Sequence, residues 1–277
     1  MSIPVKVSDM GNLDMFEILR VRKVETLERT KQKIYLATLE EDPTVKKVLK
    51  VFKNTKRSYQ AFLREVRVLE KICHPNVMVY EISMSFPKHN VIGMPYCELG
   101  ALYNMIGKIG QRQIDHYLLQ MCSAVKYLHG QNIVHRDIKL DNILLDAEHH
   151  LYITDFDMSC KVQPGCVLVN RKVGTVPYMA PEMLQNPEGW YDGFKLDMYA
   201  LGVVLWCLLF QCDCDEPEET LDYLMMTKTF VWPFPMLLYK NILENLLHPD
   251  PASRWDISQL IETLGAAAWL AERVQQL

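Results

Sequence analysis

Glycine is absent from a long early stretch of this 277-residue chain: none of its 12 glycines falls between Gly11 and Gly93. That excludes a tight turn built from consecutive glycines there, since only glycine bends and lets other groups approach without a side-chain clash. The eight cysteines, at 73, 97, 122, 160, 166, 207, 212 and 214, form no C-x-x-C pair and no zinc-type spacing. Cys212 and Cys214 stand one residue apart, a poor geometry for a metal clip or a disulfide. The cysteines therefore read as reduced, partly buried thiols of an intracellular, cytoplasmic protein. No apolar run reaches the ~18 residues of a membrane span. The longest, Met198 to Phe210, is bounded by Asp197 and Gln211 and reads as a buried helix. The first residues, Met1 to Lys6, lack the apolar core of a signal peptide.

An excess of either charge is also missing. Lys and Arg number 30 and Asp and Glu 34, a net charge of -4, which excludes nucleic-acid wrapping through bulk charge. With 49% hydrophobic and 23% charged residues, disorder and low-complexity classes are excluded too. The charge is unevenly placed. Residues 1–95 hold 17 basic and 11 acidic side chains, and the remainder holds 13 and 23. Two lobes with different tasks and two ordinary solvated surfaces both fit that split.

What is present begins with strands. Residues 16–53 alternate polar and apolar side chains, with strands marked at Ile34–Ala37 and Val48–Phe52 and a hairpin turn at Pro43 between them. The period then changes to helical over 58–72, where Phe62, Val66 and Leu69 share one face and His74-Pro75-Asn76 closes the segment. Two more short strands fit Val77–Phe86 and Val91–Tyr96. Beyond Gly100 helices take over. Gln113–His129 is amphipathic through Leu118, Met121, Cys122, Val125 and Leu128. Short strands return near Ile143–Leu145 and Leu151–Ile153, and helices dominate again from 194. Residues 156–181 show no period and carry three prolines and two glycines, and a loop of that length in a compact domain is usually functional.

Three ordered segments carry the chemistry. They are His135-Arg136-Asp137-Ile138-Lys139-Leu140-Asp141-Asn142, then Asp155-Phe156-Asp157, then Gly174-Thr175-Val176-Pro177-Tyr178-Met179-Ala180-Pro181-Glu182. Together they closely resemble the catalytic loop, metal-binding segment and substrate platform of the eukaryotic protein kinase family. The resemblance runs from about residue 16 to 260. It implies an α+β, bilobal fold, with a small antiparallel sheet plus one helix over a mainly helical lobe. The expected division is an N-terminal extension over 1–15, a small lobe over 16–95 and a large lobe over 96–277.

The resemblance also implies roles. Asp137 accepts or orients the proton of the attacking hydroxyl, and Lys139 sits beside the transferring phosphoryl group. Asn142 and Asp155 hold Mg2+, whose preference is for hard oxygen ligands. Lys50 contacts the ATP phosphates and pairs with Glu65. A solvated basic strand of Lys46, Lys47, Lys50 and Lys53 is the alternative for that lysine. Ile34, Val48, Met94, Tyr96, Cys97 and Leu144 line the nucleotide site, with Met94-Pro95-Tyr96-Cys97 as the hinge. Glu182 pairs with Arg254, and Asp197 holds the catalytic-loop backbone. Lys139 with Thr175 resembles the serine/threonine branch. The implied activity is ATP- and Mg2+-dependent phosphoryl transfer to Ser/Thr hydroxyls of protein substrates, with neither nucleic acid nor membrane as partner.

The departures suggest a second class. The three family glycines fall on Leu27, Arg29 and Gln32, where Arg29, Lys31 and Lys33 offer side-chain charge or simply form a solvated hairpin. Asp157 replaces a glycine, and Val48 stands where the family has alanine. A pseudokinase, acting as a binding or scaffolding module with weak or no turnover, fits these losses. Asp141 and the acidic stretch Asp213–Glu219 fit a preference for basic peptides, or a solvated loop. Finally, the stretch from Cys160 to Gly174 contains no Ser, Thr or Tyr. Switching by phosphorylation of that loop is expected to be absent, and phosphosite mapping that finds a phosphate between 160 and 174 would refute it.

Overall fold

The structure is a computed structural model that describes residues 5–6, 15–28, 33–163, 168–170, 173–186, 188–212 and 236–274. Arg29, Lys31, Gln32, Cys166, Cys214 and the acidic stretch 213–219 lie outside the described residues, as does most of 1–15. The chain divides into two compact units, one of residues 1–100 and 145–159, the other of 101–144 and 160–277.

The first unit is built on a six-stranded sheet. Its strands are β1 (Val5–Lys6), β2 (Val21–Glu28), β3 (Lys33–Leu39), β4 (Lys46–Lys53), β5 (Ile82–Ser85) and β6 (His89–Pro95), in the order β1-β5-β6-β4-β3-β2. All neighbours are antiparallel except β1 with β5. Alternation and β-branched residues make β3 and β4 legible, and Leu49, Val51 and Phe52 of β4 are buried. The strand runs from Lys46 to Lys53, with Lys50 inside it. At the edge, β2 is broken by two register shifts and exposes Arg22, Lys23 and Glu25, which blurs its period in the sequence. A short helix, α1 (Met15–Ile18), packs Met15 into a core with Val21, Ala37, Leu49, Val51 and Val91. Residue 15 is therefore core material.

Helix α2 (Lys56–Leu69) starts at Thr55, whose hydroxyl accepts from the Ser58 N–H. It ends at Leu69, short of the expected 72. Ile72, buried just past the helix, prolongs the apolar period without the helical backbone. Likewise only Ile82–Ser85 of the expected Val77–Phe86 strand pairs as one. Val77 instead bridges Ile153, and Asn76 donates its side-chain amide to Leu151 O at 3.0 Å. These bonds tie residues 145–159, including β10 (Leu151–Ile153), to the first unit.

The elements between and after these are β7 (Gly100–Ala101), α3 (Gln111–Gly130), β8 (Ile133–Val134), β9 (Ile143–Leu145), β11 (Cys160–Lys161), β12 (Leu168–Asn170), α4 (Pro181–Gln185), β13 (Trp190–Asp192), α5 (Gly193–Phe210), α6 (Leu237–Leu246) and α7 (Ile257–Val274). In the second unit α5 packs on α3 and α6, and α3 on α7. By length and composition α5 alone among the described residues suits a membrane span, yet 78% of it is buried. It is apolar all round because it is surrounded, as its bounded run implied.

Phe62 of α2 is fully buried and meets Phe52 of β4 edge-on, ring centroids 5.5 Å apart. Phe62→Ala removes that ring from the contact between helix and sheet. It should cost the first unit about 3–5 kcal/mol, read as a lower urea midpoint at unchanged slope.

Candidate active site

In the first unit the site begins with a lysine. Lys50 is 4% exposed on β4, and its Nζ donates to Glu65 Oε2 and Asp155 Oδ1, each at 2.7 Å. Glu65 reaches it from the buried face of α2 and is itself 1% exposed. Of the two readings of Lys50, the buried pair is therefore the one the fold contains. Burial pulls the ammonium pKa down, but Asp155, Glu65 and Asp157 more than offset it, and the net shift is upward. Burial pushes the Glu65 carboxyl up to about 7 against the pull of Lys50, helped by the like charges of Asp155 and Asp157.

Asp155 has left-handed backbone, φ 65°, a conformation that costs a non-glycine residue free energy and clusters at functional sites. It opens a 3-10 turn, Phe156–Met158. Phe156 is fully buried, and Ser159 Oγ donates to its carbonyl at 2.6 Å. Asp157 sits inside this turn with right-handed backbone, where glycine is not needed. Its carbonyl accepts from Arg64 Nε at 2.9 Å. The sequence reading missed Arg64, because its acceptor is a main-chain oxygen 93 residues away and no side-chain pattern records it.

The remaining first-unit residues flank the same strands. Ile34 pairs with Lys50 and Val48 with Met94 in the ladder, and Met94 is buried. The Tyr96 ring lies 5.4 Å under Lys46 Nζ. Cys97 is buried, and burial, with Asp146 and Glu98 nearby, pushes its thiol up to about 12, so it stays neutral. Its N–H has no partner among the described residues, as a hinge donor requires.

The second unit holds the catalytic loop. Asp137 Oδ1 accepts from Thr175 Oγ1 at 2.9 Å, and Oδ2 accepts from Asn142 Nδ2 at 2.9 Å. Lys139 Nζ donates to Thr175 Oγ1 at 3.0 Å and stands 3.6 Å from Asp137 Oδ2. Asn142 Nδ2 also donates to the Asp137 carbonyl, at 2.9 Å. Its Oδ1 keeps no hydrogen bond among the described residues. Leu144, half-buried in β9, closes this segment. The hydrogen-bonding role of Thr175 was hidden in a sequence where it stands 38 residues from Asp137.

Asp197 of α5, 1% exposed, fixes the loop from below. It accepts from the backbone N–H of His135 at 2.9 Å and of Arg136 at 2.8 Å, and its Oδ2 lies 3.0 Å from His129 Nε2. Arg136 takes φ 67°, which turns the chain so that Asp137 follows. Gly174 has φ 119°, and a Cβ there would stand 2.8 Å from the Arg136 carbonyl, so glycine is required. Arg254 forks onto Glu182 at 2.8 and 2.9 Å and also donates to the carbonyls of Lys195 and His248. Both anchors expected from the sequence are present.

In the first unit Asp155 gives one oxygen to Lys50 and its side chain is 34% exposed, and in the second unit Asn142 gives its nitrogen to Asp137. A sheet carrying a buried Lys–Glu pair and a loop with an aspartate, lysine and asparagine held by a buried carboxylate define the α+β protein-kinase-like class. The model of the protein kinase domain matches residues 33–264, and the chain belongs to that family. It is 35% identical over 216 residues, 71% of this chain, to CBL-interacting serine/threonine-protein kinase 16 of Arabidopsis thaliana. It is 34% identical over 210 residues, 72% of this chain, to CBL-interacting protein kinase 10 of Oryza sativa subsp. japonica. A third relative, CBL-interacting protein kinase 32 of the same rice, is 32% identical over 239 residues, 80% of this chain. The chain spans about half the length of these curated relatives, 45%, 45% and 52% respectively.

Removing the ammonium isolates three carboxylates. Lys50→Met should cost about 3–5 kcal/mol, the usual loss when one member of a buried pair is deleted. Its pH dependence has a definite sign. Glu65 folds with a pKa above its ordinary 4.5, so its ionisation penalises the folded state fully above about 7 and vanishes below 4.5. Without the ammonium, which pulls that pKa down, the Glu65 penalty is larger in the variant, so its deficit should grow as pH rises through 7 and shrink on acidification, measured by urea titrations across that range.

Proposed function

We propose that this chain transfers the γ-phosphoryl group of ATP to Ser or Thr hydroxyls of protein substrates. The observation that carries the reading is the hydrogen-bonded set of Asp137, Lys139, Asn142 and Thr175 on a loop fixed by Asp197. Asp137 orients the attacking hydroxyl and takes its proton on a carboxylate oxygen. Thr175 and Asn142 hold that carboxylate in place, so little reorganisation is left for the reaction itself. Lys139, beside Asp137, offers its positive charge to the phosphoryl oxygens as they pass.

Asn142 Oδ1 in the second unit and the Asp155 carboxylate in the first are each oxygen donors of the kind Mg2+ takes, and that ion would neutralise charge on the phosphates. Lys50, kept ionised by its carboxylates, offers charge to the phosphates nearer the base. Cys97 N–H and the Pro95 carbonyl serve the adenine edge. Proline at 95 is compatible because that position needs only an acceptor. The described cysteines are all free thiols, which supports a reducing, intracellular setting. Of the two losses that favoured a pseudokinase, Asp157 weighs less than its sequence position suggests, since its turn does not call for glycine.

The test is thermal unfolding of the full chain with ATP, with and without Mg2+, beside Asp155→Asn. Binding at ~100 Kd stabilises by about 2.7 kcal/mol. The wild type should show a Mg2+-dependent rise that Asp155→Asn loses. Asp137→Ala should bind nucleotide normally and lose about 10²–10⁴ in kcat on a Ser/Thr peptide. No shift at millimolar ATP overturns the kinase reading in favour of a binding module.

A further inference from the structure

We propose that Val169 is an apolar anchor that holds β12 (Leu168–Asn170) in place without any phosphate, and that it is the positioning residue there. The consequence for activity rests on the kinase reading above; the anchor itself does not.

Segments of this kind can be fixed by a phosphate paired with arginine, a charge-based attachment that an enzyme adds and another removes. That route has no acceptor here, because 160–174 contains no hydroxyl side chain. The fold supplies another attachment. β12 pairs antiparallel with β13, Leu168 opposite Asp192, Val169 opposite Tyr191 and Asn170 opposite Trp190. Val169 is 6% exposed and Tyr191 4%. A Cβ added at Gly193 would lie 3.1 Å from Val169 Cγ1 and 2.8 Å from Val134 Cγ2. The two valines thus close on the bare backbone of α5's first residue, in space that only glycine leaves open.

Each party to that contact leads to the catalytic loop. Val134 directly precedes His135 and pairs with Cys160 in the β8–β11 ladder. Asp192, the last residue of β13, caps α5 by accepting from the N–H groups of Phe194 and Lys195. On that same helix Asp197 receives the His135 and Arg136 N–H groups. Val169 therefore packs β12 onto the very elements that aim Asp137. An apolar contact of this kind has no chemical switch: neither a kinase nor a phosphatase alters it, and it titrates with nothing.

The test is hydrogen exchange on the full chain after phosphatase treatment, with phosphate-free mass verified. Val169→Asp, Val169→Ile and Gly193→Ala are run beside it. Peptides covering 168–170 and 190–192 should exchange at least tenfold slower than unstructured chain in the wild type and in Val169→Ile. Val169→Asp should abolish that protection, and Gly193→Ala should reduce it, while α3 stays protected and shows that the unit is folded. On a Ser/Thr peptide, Val169→Asp should lower kcat at least tenfold with the KM for ATP unchanged, and Val169→Ile should not.

Unstructured exchange at 168–170 in the phosphate-free wild type overturns the proposal. So does protection that Val169→Asp leaves intact, or protection that appears only once Ser159 or Thr175 carries a phosphate. Protection as expected with no phosphotransfer in any form leaves the anchor standing and removes the kinase reading.

Discussion

A carboxylate buried in an apolar helix must be surrounded by donors, and Asp197 makes that requirement the centre of the second unit. Taking an ion out of water costs several kcal/mol unless hydrogen bonds replace the lost solvation. Asp197 meets the cost with two backbone N–H groups and the His129 ring, all from residues preceding or within the catalytic loop. The dependence runs both ways. The loop backbone, bent through a left-handed Arg136, has donors that turn inward, and Asp197 is the acceptor they find. With the backbone pinned, hydrogen bonds from Thr175 and Asn142 hold the Asp137 carboxylate.

In the first unit the governing imbalance is of charge. One ammonium faces Glu65, Asp155 and Asp157, so the cluster keeps a negative excess after Lys50 is counted. That excess explains why the lysine stays ionised despite burial. It also explains why the Glu65 carboxyl is strained upward even beside its partner. Arg64, a cation bound to a main-chain oxygen, adds a further constraint: by donating to the Asp157 carbonyl it joins α2 to the turn that follows Asp155. The helix bearing Glu65 and the turn that follows Asp155 are therefore bonded to each other beside Lys50.

The parts legible in the sequence were those where chemistry demands a residue type at a fixed spacing. His135 to Asn142, Asp155, Lys50, Glu65, Asp197 and the Glu182–Arg254 pair are of that kind, and each polar pair is found where the motif implied. Other features were hidden because backbone atoms carry them. Arg64 binds a carbonyl, the Cys97 N–H is a donor that any residue but proline supplies, and Asp157 is tolerated through its turn. Boundaries failed where burial outlasts geometry, as at Ile72, which is buried beyond the end of α2. Residues 145–159 follow the second unit's helix in the chain, yet they bond to Asn76 and Met78 of the first unit, a pairing that no local period announces.

Each unit uses two kinds of force for two tasks. Where a group must meet charge, the chain uses ion pairs and hydrogen bonds with defined directions, as at Lys50 and Asp137. Where a segment must only stay put, it uses packing, as at Val169 against Gly193 and Phe62 against Phe52. Directional bonds fix an atom to within tenths of an ångström but respond to pH and salt, whereas apolar contacts are insensitive to both. The absence of glycine from 12 to 92 fits the same division. A glycine-rich turn binds phosphate through backbone N–H groups that carry no net charge. With none present, the function proposed above leaves the phosphates to charged side chains, Lys50 first among the first unit's described residues. On that reading the three carboxylates that keep Lys50 charged would serve binding as much as stability.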